Sequence, residues 1–188
     1  MKQEIIIDKE NKVKIIKNFL IEPYFIELKS ILMGPYIPWF FQSDSLEGLN
    51  DKTFMFTHSV YYKQRKDEPS LNPGWVGDPN INKLISPMVW FIKEHLNFKE
   101  LSRIKINLTT NRNENVEHMP HVDYMGENED KLKVAIFHVN TCNGYTKINN
   151  LKIKNEENQL ILFNNIKHCY STATDVSSRV VINFNFFT

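Results

Sequence analysis

RVVINFNFF, residues Arg179–Phe187, alternates between polar and apolar residues over most of its length. In an extended chain Val180, Ile182, Phe184 and Phe186 leave one face, and Arg179, Val181, Asn183 and Asn185 leave the other. RIKINLT, Arg103–Thr109, repeats the pattern: Ile104, Ile106 and Leu108 oppose Arg103, Lys105, Asn107 and Thr109. Strands of this kind make a sheet with one apolar and one polar face. The apolar faces are expected to meet helices. The polar faces are expected to line the inside of a barrel, which is costly unless that interior is wet or serves a site.

Outward from these two stretches, the chain from Leu101 onward reads as successive short strands, over 102–109, 132–139, 144–148, 151–154, 159–163, 168–173 and 178–187. Upstream, residues 5–20 read as one or two short strands, and Thr53 to Tyr62 as another. Ile21, Tyr24, Phe25, Leu28, Ile31 and Leu32 recur at helical spacing before Gly34-Pro35 ends the run. A second helix carries Leu84, Ile85, Met88, Val89, Ile92 and Leu96 on its apolar face. Helices followed by strands give an α+β layout or an all-β core with helical buttresses. One domain over 1–188 is expected, with a helical buttress region about 1–100 and a β core about 101–188.

The 188 residues are 41% hydrophobic and 24% charged, with a net charge of +1. That is an ordinary soluble balance, and bulk charge argues against a nucleic-acid partner. Two cysteines, Cys142 and Cys169, build no disulfide framework, so a reducing cytosol is expected. The opening MKQEIIIDKENKVK has only a three-residue apolar run and reads as neither signal peptide nor membrane span. Residues 63–80 read as a long polar loop, a candidate lid carrying Trp75 between Gly74 and Gly77. Pro38-Trp39-Phe40-Phe41 reads as core before substrate wall, and His58 as a core or rim histidine.

His121-Val122-Asp123 places two metal-ligand types two residues apart, hence on one face of a strand. His168 follows at the start of a later strand, and Arg179 comes after it. Two imidazoles and one carboxylate form a three-ligand face that suits iron and leaves open positions. His118 and His138 are rival ligands, although Pro120 argues against a helix joining His118 to His121. A guanidinium pairs with a carboxylate through two parallel bonds that lysine cannot reproduce, which marks Arg179 as a candidate carboxylate anchor.

At these residues the chain resembles the 2-oxoglutarate/iron(II)-dependent dioxygenases, in particular the prolyl-4-hydroxylase-like branch with its small viral and bacterial members. HxD, then His, then Arg matches His121, Asp123, His168 and Arg179. Asn143-Gly144-Tyr145-Thr146-Lys147-Ile148 is similar to the family's GGxTxF turn and strand. Asn18-Phe19-Leu20 before a helix resembles its opening, and RVVINFNFF its closing strand, so the resemblance spans roughly residues 13–187. It implies a double-stranded β-helix, a cupin-like jelly roll, with two N-terminal helices packed on one sheet. It implies iron(II) on His121, Asp123 and His168, and 2-oxoglutarate held at its far carboxylate by Arg179, with Asn107 and Thr109 as further cosubstrate contacts. Many relatives carry tyrosines where this chain has Thr109 and Phe137. The implied chemistry consumes molecular oxygen, converts 2-oxoglutarate to succinate and carbon dioxide, and hydroxylates a C–H bond, with ascorbate as reductant. Peptidyl proline or a free amino acid is the implied substrate, so a peptide or small molecule is the expected partner. A nucleic-acid demethylase with Lys147, Lys152, Lys154 and Trp75 or Tyr124, a cupin-like isomerase or sugar-binding jelly roll, and a metal-free binding module are the alternatives.

Overall fold

A computed structural model describes residues 2–44, 53–63 and 74–188. The N-terminal part contains β1 (Glu4–Asp8), β2 (Val13–Lys17), α1 (Glu22–Leu32), β3 (Phe40–Gln42), β4 (Met55–Tyr62), β5 (Gly74–Trp75) and α2 (Pro79–Lys93). Then come β6 (Glu100–Thr110), β7 (Leu132–His138), β8 (Cys142–Ile148), β9 (Leu151–Asn155), β10 (Gln159–Asn164), β11 (His168–Tyr170) and β12 (Ser178–Phe187).

One sheet runs β1-β2-β10-β7-β12-β6-β4-β3, with β5 on β4, and a second runs β11-β8-β9. All its named pairings are antiparallel. Residues 116–121 extend the second sheet along β11, through bridges Glu117–Ser171 and His121–His168. From β6 onward the chain therefore lays eight extended segments, and they occur on the two sheets in the order of a jelly roll: β6, β12, β7 and β10 on one, and 116–121, β11, β8 and β9 on the other. This is the double-stranded β-helix with its helical buttresses.

The alternation in β12 and β6 divides the molecule as expected. Ile104, Ile106, Val180, Ile182, Phe184 and Phe186 join the core built with Phe25, Leu28 and Leu32 of α1 and Ile81, Ile85, Met88 and Ile92 of α2. The barrel interior is polar only in part. Val13, Ile15, Leu132, Val134, Ile136, Ile148, Ile153, Ile161, Phe163 and Val181 form a second apolar cluster. β7 is buried on both faces because helices cover one and the barrel encloses the other, which is why its sequence reads as a nearly unbroken apolar run.

α2 starts at Pro79, earlier than its apolar spacing announces. Asp78 caps it, accepting hydrogen bonds from Asn80 N at 2.7 Å and Ile81 N at 3.2 Å, and Pro79 needs no donor at that position. Pro87 inside the helix frees the carbonyl of Lys83, which the Ser86 hydroxyl reaches at 3.5 Å. The expected loop over 63–80 is thus shorter than read. Gly74 and Trp75 pair with Tyr62 and Tyr61, 79–80 belong to α2, and 64–73 lie outside the described residues.

One aromatic expectation needs correcting. Phe40 and Phe41 are more than 60% exposed, because β3 is the short edge strand of the large sheet, while Trp39 packs on the core. Phe137 faces the helices, with ring centroids 6.1 Å from Phe19 and 6.3 Å from Phe25, so it is not an inward residue. His58 is buried, with Nδ1 2.9 Å from the carbonyl of Pro38, in keeping with a core histidine. Among the described residues no helix is long and apolar enough to cross a membrane.

Candidate metal and anion site

His121 and His168 meet through the backbone. Each donates its N–H to the other's carbonyl at 2.9 Å, at the point where 116–121 runs along β11. That pairing brings two imidazoles distant in sequence to a centroid separation of 4.6 Å. The strand expected to carry both His121 and Asp123 ends at His121, and Asp123 lies in a bend; its Oδ1 still lies 3.7 Å from His121 Nε2 and 3.8 Å from His168 Nε2. One ligand atom from each of the three residues lies within 4.8 Å of the others. His168 Nδ1 sits 2.9 Å from the Ile166 carbonyl, which turns Nε2 toward the site.

Asp123 is held from several sides. Asn183 and Asn185 donate to Oδ2 at 3.0 and 2.8 Å, and Arg103 Nη2 donates to Oδ1 at 3.2 Å. Its backbone N–H is fixed by Asn165 Oδ1 at 3.1 Å, and Asn165 also donates to the Tyr124 carbonyl at 2.7 Å. Burial opposes its charge, but Arg103 and the two histidines outweigh burial and hold the carboxyl well below the usual range. Burial and the neighbouring His168 pull His121 down to about 4, against the attraction of Asp123. At neutral pH the site thus presents a carboxylate and an uncharged His121 imidazole, the states a metal requires.

The two histidines share a pocket with Arg179. Asn107, Thr109, Ile136, Thr146, Cys169, Tyr170, Val181 and Asn183 also line it, and it encloses about 430 Å³ of non-atom space including its mouth. Arg179 is 2% exposed, donating from Nε to Asn155 Oδ1 at 3.0 Å and from Nη2 to Thr146 Oγ1 at 3.0 Å. Burial lowers its pKa to about 10, so it remains cationic at neutral pH. Among the described residues no carboxylate pairs with it. Gly144 makes room for its stem, since a Cβ there would lie 3.0 Å from Arg179 Cδ and 3.2 Å from the Thr172 carbonyl.

The expected residues thus converge. His121, Asp123 and His168 lie at one end and Arg179 at the other. Asn107 and Thr109 stand on β6 opposite Val181 and Arg179, with Asn107 Oδ1 and Thr109 Oγ1 buried and without hydrogen-bond partners. His118 lies outside the three-residue group, buried and stacked on Tyr170 at 4.1 Å. His138 lies beside Arg179, not at the metal end. Arg103, Asn183 and Asn185 carried a legible signal, since strand parity puts them on the polar face. Asn165, in a loop, carried none.

The donor set fits iron(II): two imidazole nitrogens and one carboxylate oxygen on one side of a pocket. The buried, uncompensated guanidinium and the orphaned Thr109 hydroxyl at the other side fit a small dicarboxylate.

No protein-family model and no curated protein sequence matches the chain. Solved structures do match its fold. An oxidoreductase of the 2OG-Fe(II) oxygenase family from Burkholderia pseudomallei superimposes with a TM-score of 0.60 at 9% identity, covering 88% of this chain and 78% of that one. A Trichoplax adhaerens prolyl hydroxylase, in complex with a peptide fragment of the hypoxia inducible factor oxygen degradation domain, gives 0.57 at 14%, covering 94% and 84%. A viral collagen prolyl hydroxylase from Paramecium Bursaria Chlorella virus-1, in complex with 2OG, gives 0.55 at 12%, covering 94% and 96%. Its eight-segment β-helix, its helical buttresses and these neighbours together assign the chain the fold of the 2-oxoglutarate/iron(II) oxygenases of prolyl-4-hydroxylase-like type.

Proposed function

We propose that the chain is an iron(II)- and 2-oxoglutarate-dependent oxygenase that hydroxylates a C–H bond of a peptide, with peptidyl proline the first candidate, or of a free amino acid. Arg179 carries the proposal: a buried cation without a carboxylate partner shares a pocket with His121 and His168. A cupin-like isomerase or sugar-binding jelly roll has no need of such a group. The nucleic-acid alternative gains no support from the basic residues, because Lys147 and Lys152 are drawn to Glu117 at 2.7 and 3.8 Å.

His121, Asp123 and His168 would hold the iron, leaving positions open for the cosubstrate and oxygen. Bound iron(II) with 2-oxoglutarate and oxygen supplies the oxidising equivalent, while 2-oxoglutarate leaves as succinate and carbon dioxide. The chain's own residues bind and orient. Arg179 takes the far carboxylate, Thr109 Oγ1 can donate to the same group, and Asn107 lies between the two ends. Asn183, Asn185 and Arg103 keep Asp123 charged and aimed at the histidines. The apolar cluster around Ile136 and Val181 keeps water from the pocket floor.

Anaerobic titration of the protein with iron(II) and then 2-oxoglutarate should produce a weak visible charge-transfer band. Under oxygen, with ascorbate present, succinate should form faster when a proline-containing peptide or the right amino acid is added. No band, and no succinate with or without candidate substrates, would remove this function.

A further inference from the structure

The far wall of the pocket holds more than an arginine. Thr146 Oγ1 stands between two groups: Arg179 Nη2 at 3.0 Å and His138 Nε2 at 3.3 Å. A guanidinium only donates, so the threonine oxygen accepts from Arg179. His138 is fully buried on β7, opposite Gln159 of β10. Burial and then the Arg179 charge push the imidazole well below its usual pKa. The ring is therefore neutral, and a neutral imidazole that carries its hydrogen on Nδ1 offers Nε2 as an acceptor for the threonine hydroxyl.

We propose that Arg179, Thr146 and His138 form a one-directional hydrogen-bond chain, the guanidinium donating to the Thr146 oxygen and the Thr146 hydroxyl to Nε2 of a His138 ring protonated on Nδ1, and that His138 is a positioning residue that sets the rotation of the Arg179 guanidinium without touching its ligand. With Asn155 taking Nε–H and Thr146 taking one Nη2 hydrogen, three of the five guanidinium hydrogens are left for other partners. A carboxylate can then be gripped by two parallel bonds. If the threonine hydroxyl lacked an acceptor at His138, its hydrogen would compete with Arg179 for its own oxygen's orientation. The guanidinium would lose one of its two fixed points. A neutral histidine is required at this place, because a charged one would supply a donor where the chain needs an acceptor.

This rests on the 2-oxoglutarate reading for its binding arm and not for its spectroscopic arm. In the full-length protein loaded with zinc(II), titration calorimetry with 2-oxoglutarate should show Thr146→Val and His138→Leu each weakening binding about tenfold, the scale of one lost hydrogen bond to a charged partner. His138→Gln, which returns an acceptor near Nε2, and Thr146→Ser, which keeps the hydroxyl, should stay within about threefold of the parent. The double variant Thr146→Val/His138→Leu should bind no worse than Thr146→Val alone, since both remove the same link. Nitrogen-15 spectra of the ligand-free protein should show the His138 ring as the Nδ1–H tautomer, with the Nε2 resonance moving in Thr146→Val. An Nε2–H tautomer, additive losses in the double variant, or unchanged binding in Thr146→Val overturns the chain. A parent protein that binds zinc(II) but no 2-oxoglutarate refutes the cosubstrate reading instead, and the tautomer still decides the hydrogen-bond chain.

Discussion

At the scale of single residues, the site separates into groups that would touch a ligand and groups that aim them. Alanine at His121, Asp123 or His168 should cost more iron(II) affinity than the roughly tenfold to hundredfold typical of outer partners, with far-ultraviolet circular dichroism unchanged. His118→Ala should leave affinity nearly intact, because His118 packs on Tyr170 instead of joining the three. Arg179→Lys should weaken 2-oxoglutarate by about 1.5–3 kcal/mol, the range for hydrogen bonds to charged groups, while iron(II) binding stays the same. Lysine keeps the charge but cannot hold Asn155, Thr146 and a carboxylate together. Equal cosubstrate affinity in the two proteins would make Arg179 structural. The four principal site residues were legible because each has a rare chemistry and they follow in the expected order, although only His168 and Arg179 stand on named strands and Asp123 lies in a bend. His138 was not. Its role depends on which of two neighbouring residues, Phe137 or His138, faces inward, and only pairing to β10 and β12 sets that parity.

At the scale of elements, strands whose two faces differ were easy to read, and those buried on both faces were not. β6 and β12 announced their parity through alternating asparagines and isoleucines. β7 concealed it, since both of its faces are apolar for most of its length. Edges were also hard to judge. Phe40 and Phe41 look like core by composition, yet they stand on a strand that among the described residues has no neighbour on its outer side. The start of α2 was hidden by reading Asp78-Pro79 as loop when it is a cap followed by a first helical residue. Asp78→Ala should therefore destabilise the protein by about 1 kcal/mol in urea melts, with no change in metal affinity. A change under about 0.3 kcal/mol would mean that packing of Ile81 and Ile85 alone holds the first turn.

At the scale of the whole molecule, an all-β core behind two helices followed from the order of patterns along the chain. Sheet membership did not, because it depends on pairings between distant segments. One global property follows from enclosing an imidazole. His138 stays neutral in the folded protein to well below its usual pKa of 6.5, while in the unfolded chain it takes up a proton as pH falls through that value. The unfolded state then binds more protons, so stability present above pH 6.5 is lost as pH falls below it. Each such group contributes a slope of about 1.4 kcal/mol per pH unit in that window. Chemical denaturation of the metal-free protein from pH 7 to pH 5 should show this loss, and His138→Gln should reduce its slope. Identical slopes in parent and variant would mean that the ring titrates in the folded state.

β12 is the last of the eight barrel segments along the chain, yet it lies between β7 and β6 in the interior of the large sheet. It also carries Arg179, Asn183 and Asn185. During synthesis, everything before Ser178 emerges with a gap where the sheet's centre will be, leaving two strand edges open and the core that Val180, Ile182, Phe184 and Phe186 share with α1 and α2 incomplete. Such a nascent chain can neither close its barrel nor give Asp123 the amides of Asn183 and Asn185, and open edges invite pairing with other chains. A stop codon at Ser178 should thus yield aggregated protein instead of a soluble, metal-binding fragment, whereas a synthetic peptide of Ser178–Phe187 added during refolding should restore solubility. A soluble truncated chain that binds iron(II) as tightly as the parent would show that the ribosome need not wait for the final strand.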